Sequence, residues 1–124
     1  MFQEDHKLFI KKAKEEYKKI GYIECPAFGG EKVYFNRYGL RHLFYKDRVS
    51  RPIEEVIKRI NLLQYASNIL KHIKNVDNEE RRTKNKTYAY FWTIKYSINS
   101  DLRIRIILRR LDNGNLHFFS IMSE

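Results

Sequence analysis

An α+β fold, with N-terminal helices packed on a C-terminal antiparallel sheet of about four strands, is what this sequence predicts, and three features carry the prediction. Helix-period apolar residues dominate positions 1–74, strand-favouring runs dominate 88–122, and Asn113-Gly114 stands between two of those runs as a hairpin turn.

In order, residues 4–20 set Phe9, Ile10, Ala13, Tyr17 and Ile20 at helical spacing, with Lys7, Lys11, Lys14 and Lys18 elsewhere around the cylinder, and Gly21 ends the helix. Cys25-Pro-Ala-Phe-Gly-Gly30 is turn chemistry. Lys32-Val-Tyr-Phe-Asn36 is short, β-branched and aromatic, so it predicts a strand; Tyr38-Gly39 breaks it, and 40–45 forms a short helix. Ser50-Arg-Pro52 offers a cap and a first-turn proline, Glu54 and Glu55 favour a helix N-terminus, and Ile53, Val56, Ile57, Ile60, Leu63, Leu70 and Ile73 keep the helical period over 52–74. Positions 75–87 are almost devoid of apolar residues and include Glu79-Glu-Arg-Arg-Thr-Lys-Asn-Lys86, which predicts an exposed basic loop. Residues 88–98 form a strand, Asn99-Ser-Asp101 a turn, and the last two strands complete a meander ending at 122.

A length of 124 residues, 15.1 kDa in mass and 43% hydrophobic, suits one domain with one core: a helical half over 1–74, the loop 75–87 and the meander 88–122. The formal charge of +10 and a pI near 9.7 point to polyanionic partners, nucleic acid first. Glu15 and Glu16 interrupt the basic face of the first helix, which weakens a membrane-surface reading. No apolar run approaches the roughly 20 residues that cross a bilayer. Residues 1–7 lack a basic region followed by a hydrophobic one, so no membrane partner is expected. Cys25 has no second cysteine to bridge to and no C-x-x-C neighbour for a metal, which fits a cytoplasmic protein.

The hairpin register sorts the chemistry. With Asn113-Gly114 as a two-residue type I′ loop, Leu111 faces Leu116, Arg109 faces Phe118, Ile107 faces Ser120 and Arg105 faces Met122. Leu102, Ile104, Ile106, Leu108, Phe119 and Ile121 then share a core face; Arg103, Arg105, Arg109 and Ser120, with Ile107, Phe118 and Met122, share the other. A row of permanently charged forks suits bidentate phosphate binding, and Phe118 adds a ring on which a base can stack. His42 exchanges protons near neutrality and stands beside Arg41, a further phosphate ligand. His117 falls on the core side as a packing residue, and His6 and His72 belong to solvated helix faces. No H-x-E, H-E-x-x-H, nucleophile-elbow, Walker or dinucleotide pattern occurs, so neither metal nor cofactor is expected. RNA cleavage needs neither, because its own 2′-hydroxyl is the nucleophile. His42 would supply proton transfer, the arginine row charge, and Ser120 or Tyr96 orientation of the nucleotide.

The run Gly39-Leu-Arg-His42 opening a helix, the long helix after it, and a closing meander with Arg103-Ile-Arg105 and Phe119-Ser-Ile-Met122 resemble the small nucleases grouped as barnase, EndoU, colicin-type tRNase and RelE-like (BECR-type), especially those of phages and mobile elements. The resemblance spans 30–122 and implies a metal-independent endoribonuclease with its active site on the sheet face, catalytic positions matching His42, Arg105 and Ser120, and, for a toxin, an acidic antitoxin or immunity protein as partner. Arg103 and Arg109 are added from the register. RelE-type toxins often close with a basic or aromatic tail, whereas this sequence closes Ser123-Glu124, which favours tRNA or other free RNA over ribosome-bound mRNA. The competing reading is a non-catalytic nucleic-acid-binding or mobile-element accessory protein using the same basic face.

Overall fold

The structure, a computed structural model, describes residues 4–76, 78–84 and 87–124. Helix α1 (Glu4–Ile20) buries Ile10 and Tyr17 and ends at Gly21, whose φ of 66° is the left-handed conformation that releases the chain from the helix. β1 (Tyr22–Cys25) then pairs antiparallel with β2 (Glu31–Tyr34) across a single 3₁₀ turn, Pro26–Phe28. Both strands turn alternate residues, Ile23, Cys25 and Val33, into the core.

Helix α2 (Arg37–Phe44) begins three residues earlier than expected. Asn36 caps it, its side-chain oxygen accepting from the Tyr38 amide at 3.1 Å. Tyr38 and Gly39 therefore lie inside the helix instead of interrupting the chain, and Gly39 serves close packing: a Cβ there would collide with the Phe118 carbonyl and stand 2.6 Å from both Phe118 Cδ2 and Tyr17 Oη. A two-stranded ribbon, β3 (Tyr45–Lys46) and β4 (Val49–Ser50), turns at Asp47 and leads into α3 (Ile53–His72). Ser50 belongs to that ribbon and does not cap α3; Pro52 holds the cap position, and Glu54 and Glu55 occupy the first turn as expected.

Among the described residues the sheet has six strands where about four were expected: β5 (Asn78–Lys84), β6 (Thr87–Ser97), β7 (Arg103–Leu111) and β8 (His117–Ser123) join β1 and β2 in the order β1-β2-β8-β7-β6-β5. All links are antiparallel except β2–β8, a parallel contact at Tyr34 and His117. Most of the expected loop 75–87 is thus the edge strand β5, whose run of charges suits an edge, where one side of the strand has no partner to exclude. Residues 77, 85 and 86 of that expected loop lie outside the described residues. α3 lays Leu62, Leu63, Ala66, Ile69 and Leu70 into the same core as Ile104, Ile106, Leu108 and Ile121.

The last hairpin departs from the expected register. The left-handed residue is Asp112 (φ 46°), the Gly114 amide donates to the Leu111 carbonyl at 2.7 Å, and Asp112 anchors the bend by accepting from the Tyr88 amide through Oδ1 at 2.8 Å. Arg109 consequently faces His117, not Phe118, whereas Ile107–Ser120 and Arg105–Met122 pair as expected. The difference is absorbed by a β-bulge that sets two residues, Phe118 and Phe119, against one. It exchanges the roles of the two rings: Phe118 is fully buried, stacked on Phe35 at 4.9 Å, and Phe119 stands in its place on the opposite surface.

Candidate functional site

β2 keeps company with β8 only at His117, and the space it leaves along β8 is filled by α2. Between α2, the β3–β4 ribbon and the ends of β7 and β8 lies a cavity of about 220 Å³ lined by Tyr38, Arg41, His42, Tyr45, Asp47, Arg109 and Phe119.

Arg109 is held without a counter-ion. Its guanidinium lies 4.3 Å from the Phe119 ring centre and 5.1 Å from that of Tyr38, and its Nε donates to His117 Nε2 at 3.0 Å. Among the described residues no carboxylate pairs with it. Accepting from a guanidinium, which has only donors, forces neutral His117 to carry its proton on Nδ1, which points at the Asn115 carbonyl at 3.4 Å. His117, expected as a packing residue, is buried and also orients the cation.

The same logic fixes His42. Its ring lies 4.5 Å from that of Phe119, the ring that Arg109 also contacts. Arg51 donates through Nε to the His42 carbonyl at 2.9 Å and approaches Nδ1 through NH2 at 3.3 Å, so Nδ1 accepts and the proton sits on Nε2. Burial first, then the charges of Arg51, Arg59 and Arg109, push the His42 pKa from 6.5 down to about 4, against a weaker pull from Asp47. His117 is likewise lowered to about 4, by burial and then by Arg109. Both imidazoles are neutral at pH 7. Arg37, bonded to the Tyr38 hydroxyl at 3.5 Å, and more weakly Arg109, hold that phenol below its ordinary value of 10.

A stability prediction follows from the two rings. Their folded pKa values lie below the unfolded value of 6.5, so the unfolded chain binds more protons as pH falls, and the stability they provide is complete above 6.5 and drains away between 6.5 and about 4. Denaturation midpoints measured across that window should fall with decreasing pH, and the slope should flatten in a His42→Gln/His117→Gln variant.

Of the residues singled out from sequence, the cavity brings together His42, Arg41 and Arg109. Arg103 and Arg105 do share the Arg109 face, as the register of β6 and β7 requires, but both are tied to Glu124, at 3.9 and 3.3 Å, and Lys95 joins them at 3.7 Å. Ser120 is buried: its Oγ accepts from Arg59 NH1 at 2.9 Å, and the same nitrogen reaches the Ile121 carbonyl at 3.0 Å. The expected constellation of His42 with Arg105 and Ser120 is therefore not assembled around one cavity. Phe118 is enclosed in the core, where no base can reach it. Tyr96 is exposed but pairs with Ile104, which sets it on the opposite sheet surface from the arginine row. Arg110 also points away and is bonded to Glu31 at 2.7 Å.

Reading by spacing missed Tyr38, Tyr45, Arg51, Arg59 and Phe119. For Arg59 a signal existed: it stands four residues after Glu55, its partner at 2.9 Å, on the same helix stripe as Val56, Ile60 and Leu63. No group of three or more potential metal ligands occurs among the described residues, and no helix there is long and apolar enough to cross a membrane. Compared with models of protein families, with curated proteins and with solved structures, the chain matches none.

Proposed function

We propose that this protein is a metal-independent endoribonuclease whose active site is the cleft between α2 and the β7–β8 pair, with tRNA or another free RNA as substrate. The observation that carries the reading is Arg109, a cation clamped by two aromatic rings and a neutral imidazole with no carboxylate in ion-pair distance among the described residues, in one cavity with Arg41, His42 and Asp47. Such an arrangement is ready for an anion and gives a phosphodiester two fixed positive groups.

In this mechanism the scissile phosphate sits on Arg109 and Arg41, with an adjoining base against Tyr38 or Tyr45. A phosphate oxygen attracts Arg51 away from His42, which frees the Nδ1 lone pair; the anion also raises the affinity of the ring for a proton. Nδ1 then takes the proton of the 2′-hydroxyl, the 2′-oxygen bonds to phosphorus, and the bond from phosphorus to the 5′-oxygen breaks. The Tyr38 hydroxyl, lowered by its arginine neighbours, returns a proton to the departing 5′-oxygen. The products are a 2′,3′-cyclic phosphate and a 5′-hydroxyl. Ser120 and Arg59 act beneath this surface by fixing β8, and the cleft's charge makes it the surface an acidic antitoxin or immunity protein would cover.

Gel analysis of mixed tRNA, mRNA and rRNA in excess chelator tests the reading. Arg109→Gln is expected to lower cleavage about 100-fold, the usual loss when one charge-stabilising donor is removed from a site. Undegraded RNA with wild-type protein would remove the enzymatic reading. One observation favours the alternative of RNA binding without cleavage: the only lone pair of neutral His42 is occupied by Arg51. That alternative predicts salt-dependent affinity, no products, and indifference of binding to His42.

A further inference from the structure

Beside the cleft, and sharing Arg41 and Tyr45 with it, lies a second recess of about 290 Å³ between α1, α2 and the β3–β4 ribbon. Among the described residues four cations line it, Lys14, Arg37, Arg41 and Arg51, and no acidic side chain does. Aromatic rings hold three of them in place of counter-ions, Lys14 5.0 Å over Phe44, Arg41 4.6 Å over Tyr45 and Arg37 5.2 Å over Tyr38, and the fourth, Arg51, is held by the His42 carbonyl. None of the four has a carboxylate within ion-pair distance among the described residues. Four like charges converging on one concavity repel each other until an anion enters it.

We infer that this recess is a second phosphate subsite, which holds the phosphate next to the scissile one, so that the substrate is an RNA strand crossing Arg41 with at least two consecutive phosphodiesters engaged. The inference rests on the proposal that the cleft receives RNA phosphate. Arg51 ties the two cavities together, since it lines the recess and also contacts Nδ1 of His42. A phosphate in the recess competes for that guanidinium and unmasks the base, so a second phosphate should raise kcat as well as lower KM.

The test uses uncleavable 2′-O-methyl dinucleotide (one phosphate) and trinucleotide (two phosphates), titrated by NMR into wild type, Lys14→Gln and Lys18→Gln, with matched cleavable RNAs assayed in parallel. Lys18 is an exposed lysine one turn further along α1 and outside the recess. The second phosphate is expected to tighten binding roughly tenfold in wild type and Lys18→Gln, and less than threefold in Lys14→Gln, with a larger gain in kcat/KM than in affinity. An equal gain in wild type and Lys14→Gln, or equal losses in the two lysine variants, would overturn the subsite; a gain confined to KM would overturn the link through Arg51. Because binding is read on uncleavable strands, absence of cleavage in the parallel assay sinks the ribonuclease reading and leaves the subsite result standing.

Discussion

Replacing His42 with alanine is expected to lower kcat for RNA cleavage about 1,000-fold while changing RNA affinity no more than about threefold, within the range contributed by a positioned general base. The asymmetry comes from charge. His42 is neutral at pH 7 and adds no attraction for phosphate, whereas Arg41, Arg51 and Arg109 supply that attraction around it. His42→Asn should behave like the alanine variant, because an amide oxygen can still accept from Arg51 but cannot take a proton at this pH. In the wild type, the acid limb of kcat/KM should lie near pH 4, the value for the ring in the free protein, well below the ordinary histidine value. Single-turnover cleavage and affinity measured on the same variants check both. A parallel fall in affinity and kcat would mean that His42 holds the cleft together and does no proton transfer.

Gly39→Ala is expected to destabilise the fold by about 3 kcal/mol, which for a chain of this size lowers Tm by roughly 10 °C. The added methyl group meets the Phe118 carbonyl, a backbone atom that cannot rotate away, together with Phe118 Cδ2 and Tyr17 Oη, each 2.6 Å distant. Relief requires α2 to lift off β8. Because α2 carries Tyr38, Arg41 and His42, the same movement opens the cleft, so residual folded protein should also bind RNA less tightly. Gly114→Ala serves as a comparison: it lies at the exposed hairpin tip, and an added Cβ there meets one close atom, the half-buried Leu111 carbonyl at 2.9 Å, so a smaller loss is expected than from the three closer contacts at Gly39. Thermal unfolding of both variants, with the loss concentrated in Gly39→Ala, checks the account; equal Tm values for Gly39→Ala and wild type would refute the close approach.

Much of the architecture was legible because burial imposes a period. The stripes on α1 and α3 and the alternation of Ile104, Ile106 and Leu108 are written directly into residue type, and the arginines between them share a face for the same reason. What escaped was whatever depends on a partner far along the chain. Gly39 reads locally as a breaker, and only the nearness of Phe118 shows it to be a packing residue. The Phe118-Phe119 pair offers no local reason to prefer one ring for the core; the choice is made by Phe35 and Tyr17, which surround Phe118. The charged run of β5 looks like a loop until β6 pairs with it. The candidate site shows the same division. His42, Arg41 and Arg109 could be found from chemical type and register, while Tyr38 and Phe119 required the helix start and the bulge that bring them to the cavity, and Arg51 the ribbon that sets it against His42.

End-group analysis of RNA digested in excess chelator tests the central claim most directly. Attack by the 2′-hydroxyl in the cleft beside Arg109 predicts 2′,3′-cyclic phosphate and 5′-hydroxyl ends, with no cutting at a position made 2′-deoxy. Ends carrying a 3′-hydroxyl and a 5′-phosphate, or cutting that appears only when a divalent metal is restored, would contradict it.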